Sequence, residues 1–129
     1  MIRGYASPSG TERYAARFPG LPAAHFRDLA GLRLGSIGIG TYLGDPDDAT
    51  DRRYAAAVAA AARAGLNVID TAINYRAQRS ERSIGAALAT LQAEGFQRDE
   101  LVVATKAGFL PFDGDYPRDP GDYFRRTFL

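Results

Sequence analysis

The sequence has no cysteine, one histidine, one lysine and almost no net charge. The missing cysteines exclude disulfides, thiolate metal sites and thiol nucleophiles together. The lone His25 lies far upstream in an Ala/Pro context, which makes a Ser/His triad a poor candidate; it reads as a solvated or hydrogen-bonded residue rather than a metal ligand. A formal charge of +1, with fifteen dispersed arginines, supplies no field for nucleic acid or an anionic membrane. The alanine-rich run Ala55–Ala62 is too short and too weakly apolar to span a bilayer. The N-terminus lacks the apolar core of a signal peptide, so a cytoplasmic location is the expectation. What remains, 129 residues of which 46% are hydrophobic, suits one modest globular domain.

The chemistry concentrates in one stretch. Gly65 ends an alanine-rich helical run, and Leu66-Asn67-Val68-Ile69 then reads as a buried strand, too short for a helix and bounded by a breaker. It terminates in Asp70. Tyr75 follows in a polar loop, and Ser80-Glu81 opens a helix. Downstream, Leu101-Val102-Val103-Ala104-Thr105 reads as a second buried strand and ends in Lys106, the single lysine. Elsewhere the chain uses arginine, which is permanently charged; a lysine amine is a compact and tunable charge. An acid, a phenol and an amine at the carboxyl ends of neighbouring parallel strands would converge, as active-site groups do in such sheets. Taken singly, Asp70 is equally a turn cap, Tyr75 a loop packing residue and Lys106 half of a salt bridge.

In chain order, residues 1–25 carry weak periodicity and read as a partly ordered N-terminal arm with a short helix near Glu12–Arg17. Phe26 to Leu34 alternates apolar and polar residues about Ala30-Gly31, the pattern of a β-hairpin. Gly35 to Tyr42 is a glycine-dotted strand. Its glycines do not match a dinucleotide fingerprint, because no helix opens directly after them; they imply close backbone approach to a ligand or a neighbouring strand. Thr50 or Asp51 caps a helix running to about Ala64, and a second helix runs from near Ser80 to Gly95. Glu81 in its first turn is explained by helix electrostatics. Residues 107–120 form a long loop in which Phe109, Phe112 and Tyr116 either line a pocket mouth or pin the loop, and another helix begins near Tyr123. Alternating strands and helices imply an α/β fold with about three parallel strands, two helices and an N-terminal hairpin.

The run Gly38-Ile39-Gly40-Thr41-Tyr42, then Gly65-Leu66-Asn67-Val68-Ile69-Asp70-Thr71-Ala72, Tyr75, Ser80-Glu81, Ile84-Gly85 and Val103-Ala104-Thr105-Lys106, resembles the aldo-keto reductases over residues 34–110. The resemblance implies the N-terminal part of a (β/α)8 TIM barrel over residues 26–129, with the hairpin at the barrel's base. It implies NADP(H)-dependent reduction of aldehydes or ketones, with NADPH as cofactor and NADH possible, a small-molecule carbonyl substrate, and no metal, since the hydride chemistry belongs to the cofactor. Tyr75 would donate the proton, Lys106 would be the cation that lowers the phenol's pKa from about 10, and Asp70 the carboxylate paired with it. Gly40, Thr41 and Tyr42, with Asp70, would lie beside the nicotinamide and its ribose.

Two departures stand out. Arg76 follows the tyrosine where many relatives have glycine. The family's fourth catalytic residue, a histidine after the fourth strand, and its phosphate-binding loops fall outside these residues. Since such a barrel takes about 250 residues, the chain is expected to be the N-terminal third to half of one, incomplete and inactive by itself. Ile37, Ile39, Val68, Ile69, Val102 and Val103 would then form a face lacking opposing strands. The competing expectation is a non-catalytic regulatory or interaction protein on the same scaffold.

Overall fold

A computed structural model describes residues 2–129. The chain runs as helix α1 (Pro8–Ala16), strands β1 (Phe26–Leu29) and β2 (Leu32–Gly35), strand β3 (Ile39–Gly40), helix α2 (Asp48–Arg63), strand β4 (Val68–Asp70), helix α3 (Arg79–Ala93), a 3-10 turn (Arg98–Glu100), strand β5 (Val102–Ala104) and helix α4 (Pro120–Phe128). Strands β1 and β2 pair antiparallel as a hairpin; β3, β4 and β5 form a separate parallel sheet in that order. Ala30 and Gly31 both take positive φ, the requirement of a tight two-residue hairpin turn. Among the described residues no helix is long and apolar enough to cross a membrane.

Register decides which side chains face the helices. Ile39, Ile69 and Val103 are aligned across the three strands and all meet the core made with Val58, Ala62, Ile84, Leu88 and Leu91 of α2 and α3. With a period of two, Gly40, Asp70 and Ala104 form the next row and point to the opposite face. The expected face of six aliphatic residues therefore divides: Val68 and Val102 lie opposite Ile69 and Val103, and Ile37 is exposed outside the ladder. Of the expected eight-residue glycine strand, only Ile39 and Gly40 pair in the parallel sheet, while Gly35 ends β2 opposite Phe26. A Cβ on Gly38 would approach the Val68 carbonyl oxygen to 2.8 Å, so this glycine permits close contact with the neighbouring strand.

The N-terminal segment differs most from expectation. The short helix expected near Glu12–Arg17 is present but starts earlier: α1 begins at Pro8, is capped by Ser7 and buries Tyr14 completely against Phe18, Phe26 and Phe96. The Tyr14 hydroxyl donates to the Ala62 carbonyl at 2.5 Å, and burial pushes its ionisation far above the ordinary tyrosine range. Arg13 and Arg17 both reach the fully buried Glu100, fixing α1 to the 3-10 turn. A Cβ at Gly10 would fall 2.2 Å from the Asp99 carbonyl oxygen, so only glycine admits this docking. His25 hydrogen-bonds the Gly65 carbonyl, as a hydrogen-bonded residue would. Helix α2 is capped by Asp47, not by Thr50 or Asp51.

Asn67 is the knot between the two sheets. Its Oδ1 accepts from the Gly35 backbone at 2.9 Å, while Nδ2 donates to the Arg33 carbonyl at 3.0 Å and the Glu100 carbonyl at 3.4 Å, all with the residue fully buried. Asn67→Ala strands these backbone groups at a cost of about 1–3 kcal/mol for each one left unpaired. We expect a loss of about 3 kcal/mol and a melting temperature lower by roughly 10 °C, read by calorimetry. A shift under a few degrees would show that water replaces the amide.

Candidate active site

The carboxyl ends of β4 and β5 place the expected residues together. After Asp70 the backbone bonds continue in the same parallel register, with the Thr71 amide donating to the Ala104 carbonyl and the Ile73 amide to the Lys106 carbonyl. This carries Lys106, two residues beyond Ala104, back toward Asp70. Its Nζ donates to both Asp70 oxygens at 2.7 and 2.8 Å, to the Thr71 carbonyl at 2.8 Å, and contacts the Tyr75 hydroxyl at 3.4 Å. The ammonium also lies 5.1 Å from the centroid of the Tyr75 ring. Asp70 and Lys106 side chains are each half exposed, so the group opens to solvent. The hydrogen bonds to Asp70, with a further one to Tyr75, raise the Lys106 pKa above the ordinary lysine value against the opposing effect of desolvation. Lys106 is therefore a cation throughout the physiological range.

The glycine-rich segment supplies the other wall. Gly40 is the neighbour of Asp70 in the ladder, and a Cβ built there would touch nothing within 4 Å, leaving an open space over the strand end. Tyr42 is exposed and meets Tyr75 edge-on with ring centroids 5.0 Å apart. Thr41 lies differently: its side chain is buried, donating to Thr71 Oγ1 or the Asp70 carbonyl, while its own carbonyl accepts from Ser80 Oγ. The group therefore comprises Asp70, Tyr75 and Lys106, flanked by Gly40 and Tyr42, with Thr41 beneath as a tie between β4 and α3. Glu81 stays in the first turn of α3 and accepts from Thr105, without reaching the cluster.

A cleft of about 280 Å³ is lined by Tyr42, whose ring meets Tyr75, and by Asn74, Phe109, Leu110, Phe112 and Tyr116. Its volume and aromatic walls suit a small organic molecule. The long loop after Lys106 is thus both pinned and pocket-forming: Phe112 packs edge-on against Tyr116 and Tyr123, while Phe109 remains exposed.

Sequence reasoning left one participant unassigned. Arg76 is buried beneath the loop, bonded to Asp51 at 2.6 Å and to the Asp45 carbonyl at 2.9 Å. Its only sequence signal is the departure from glycine after the tyrosine. Arg79 also bonds Asp51. Burial would raise the Asp51 pKa, but the hydrogen bonds and charges of Arg79 and Arg76 outweigh it and hold the carboxyl below the ordinary 3.8. A depressed folded-state pKa contributes stability that is fully present above the unfolded value and is lost as pH falls through the folded one. Melting temperature should accordingly decline below about pH 4, and less steeply in Asp51→Asn. Parallel declines in the two proteins would remove Asp51 as a cause.

The family model for the aldo/keto reductase family matches residues 36–125, a span that holds every residue of this cluster.

Proposed function

We propose that this chain, which belongs to the aldo/keto reductase family, carries the proton-donating site of an NADP(H)-dependent oxidoreductase that reduces aldehydes or ketones to alcohols. Family membership supports an oxidoreductase acting on small carbonyl compounds with a nicotinamide cofactor. The preference for NADPH over NADH, the role of Tyr75 and a (β/α)8 barrel of which β3, β4 and β5 form an arc are our proposals.

One observation carries the reading: Lys106 Nζ, held by both oxygens of Asp70, stands 3.4 Å from the Tyr75 hydroxyl. A reduced nicotinamide supplies the hydride when bound. The chain's own residues supply the rest. Tyr75 directs its hydroxyl at the substrate oxygen and transfers its proton there as the carbon accepts the hydride, giving the alcohol and a phenolate. Lys106 stabilises that phenolate electrostatically, where charge develops. Asp70 holds the ammonium in place and balances its charge in the resting state. Half-exposure lets solvent return the proton to Tyr75. Gly40 and Tyr42 fit the cofactor's reactive end, since the open space over Gly40 lies beside Asp70.

The test is NADPH-dependent carbonyl reduction by the protein that carries this chain, compared between the parent and Tyr75→Phe, with NADPH binding followed separately by fluorescence. Turnover that needs Tyr75 supports the proposal. Cofactor binding without turnover in the parent would favour a non-catalytic protein on this scaffold.

A further inference from the structure

Directly after Tyr75 the chain makes a left-handed turn: Arg76, Ala77 and Gln78 have φ of 50°, 52° and 69°. None is glycine. In this region Cβ crowds the following carbonyl oxygen, so three such residues in succession persist only where their surroundings over-determine them. Arg76 provides the hold on one side. It is 1% exposed, donating through Nε to the Asp45 carbonyl at 2.9 Å and through Nη2 to Asp51 at 2.6 Å and the Asp47 carbonyl at 3.3 Å. Its guanidinium lies 5.1 Å from the Tyr54 ring, and the Tyr54 hydroxyl donates to the Leu43 carbonyl. Arg76 is thereby tied to the loop that presents Tyr42. On the other side, the Ala77 carbonyl accepts from the Gly114 amide at 2.8 Å, and Gln78 Nε2 donates to the Phe112 carbonyl at 2.9 Å. Both walls of the aromatic cleft hang from this one turn. Arg76 keeps its place even though its Nη1 is buried without a partner among the described residues.

We propose that Arg76 and the left-handed turn it heads position Tyr75, fixing the phenol against Tyr42 and Lys106 and setting the separation of the cleft walls. Arg76 is a positioning residue; it touches neither the reacting groups nor the cleft. The catalytic consequence rests on Tyr75 as proton donor, but the positioning itself is geometric and is tested as geometry.

Isotope-labelled lysine, with the Lys106 side-chain NMR signal assigned by its loss in Lys106→Met, reports on the contact with Tyr75 in the protein that carries this chain. Ring-labelled tyrosine reports the contact between Tyr42 and Tyr75. In Arg76→Met we expect loss of the Tyr42–Tyr75 nuclear Overhauser effect and a shifted Lys106 signal, while the core contacts of Tyr14 with Phe18 and Phe26 persist. Asp51→Asn, which loosens Arg76 without altering the turn, should weaken the same ring contact and move the Lys106 signal in the same direction. An intact ring contact with an unmoved Lys106 signal in both variants overturns the proposal. So does loss of the Tyr14 contacts in both, which would make Arg76 a residue that holds the fold. Absence of turnover in the parent would defeat the proton-donor role and leave this result standing. Tyr75-dependent turnover together with an intact ring contact and an unmoved Lys106 signal in both variants would do the reverse.

Discussion

Replacing Tyr75 by phenylalanine is expected to lower carbonyl reduction by about 10²–10⁴-fold, the usual contribution of a positioned general acid, with little change in NADPH affinity. The substitution removes one oxygen and leaves the surroundings standing. The ring keeps its edge-on contact with Tyr42 at 5.0 Å and stays beside the Lys106 ammonium. Lys106 does not collapse into the gap, because Asp70 and the Thr71 carbonyl hold it through three hydrogen bonds that do not involve Tyr75. The loss should therefore fall on kcat, with KM and the cofactor dissociation constant nearly unchanged, since a transition-state interaction is removed rather than uniform binding. Steady-state absorbance kinetics and fluorescence titration check both halves. Rates within a few-fold of the parent would assign proton delivery to water or to another group.

The convergence of Asp70, Tyr75 and Lys106 was legible in the sequence because two of the three end apolar runs. Asp70 and Lys106 each follow a β-branched stretch, and parallel neighbours whose runs end in polar groups bring those groups to one sheet edge. The hairpin was legible for an equally local reason: alternation about two residues that both take positive φ. Structure set by distant partners was not. Tyr14 occupies a weakly periodic segment, and nothing near it announces that it will meet Phe26 and Phe96 or that Glu100 will anchor the arginines beside it. The helix cap was misplaced because Asp47, Thr50 and Asp51 can all cap. The choice falls to the residue whose backbone is extended, Asp47 with φ −124°, which frees Asp51 to bind Arg76 and Arg79.

Thr41 and Arg76 show the same limit within the site. The sequence assigns Thr41 itself, with Gly40 and Tyr42, beside a cofactor, yet a two-residue strand followed by a ladder bond to the Asp70 carbonyl turns its side chain inward, onto Thr71. Arg76 stands next to Tyr75, but its meaning lies 25 to 31 residues upstream, at Asp51 and Asp45. Positions along a strand are readable by period; ties between loops are not.

Lys106→Arg should be nearly as damaging as loss of the lysine charge, lowering turnover by about 10²–10³-fold, the range seen when one electrostatic stabiliser is removed. The raised folded-state pKa of Lys106 means that any stability it contributes is fully present below the ordinary value of 10.5 and is lost only as pH rises through the folded value. At neutral pH lysine and arginine are thus equally charged, and the comparison isolates shape. One nitrogen of Lys106 faces four oxygens: two of Asp70, the Thr71 carbonyl and the Tyr75 hydroxyl, all between 2.7 and 3.4 Å. An ammonium presents its donors tetrahedrally from one point. A guanidinium spreads its donors in a plane from a larger head, so a fork on Asp70 leaves none at the position from which Nζ meets the phenol. The bidentate pair with Asp70 would survive while the charge moves away from the oxygen that becomes anionic. Lys106→Met, which removes the charge, sets the scale. If Lys106→Arg retains parental kcat while Lys106→Met does not, a positive charge anywhere on Asp70 suffices, and the contact with Tyr75 carries no catalytic weight.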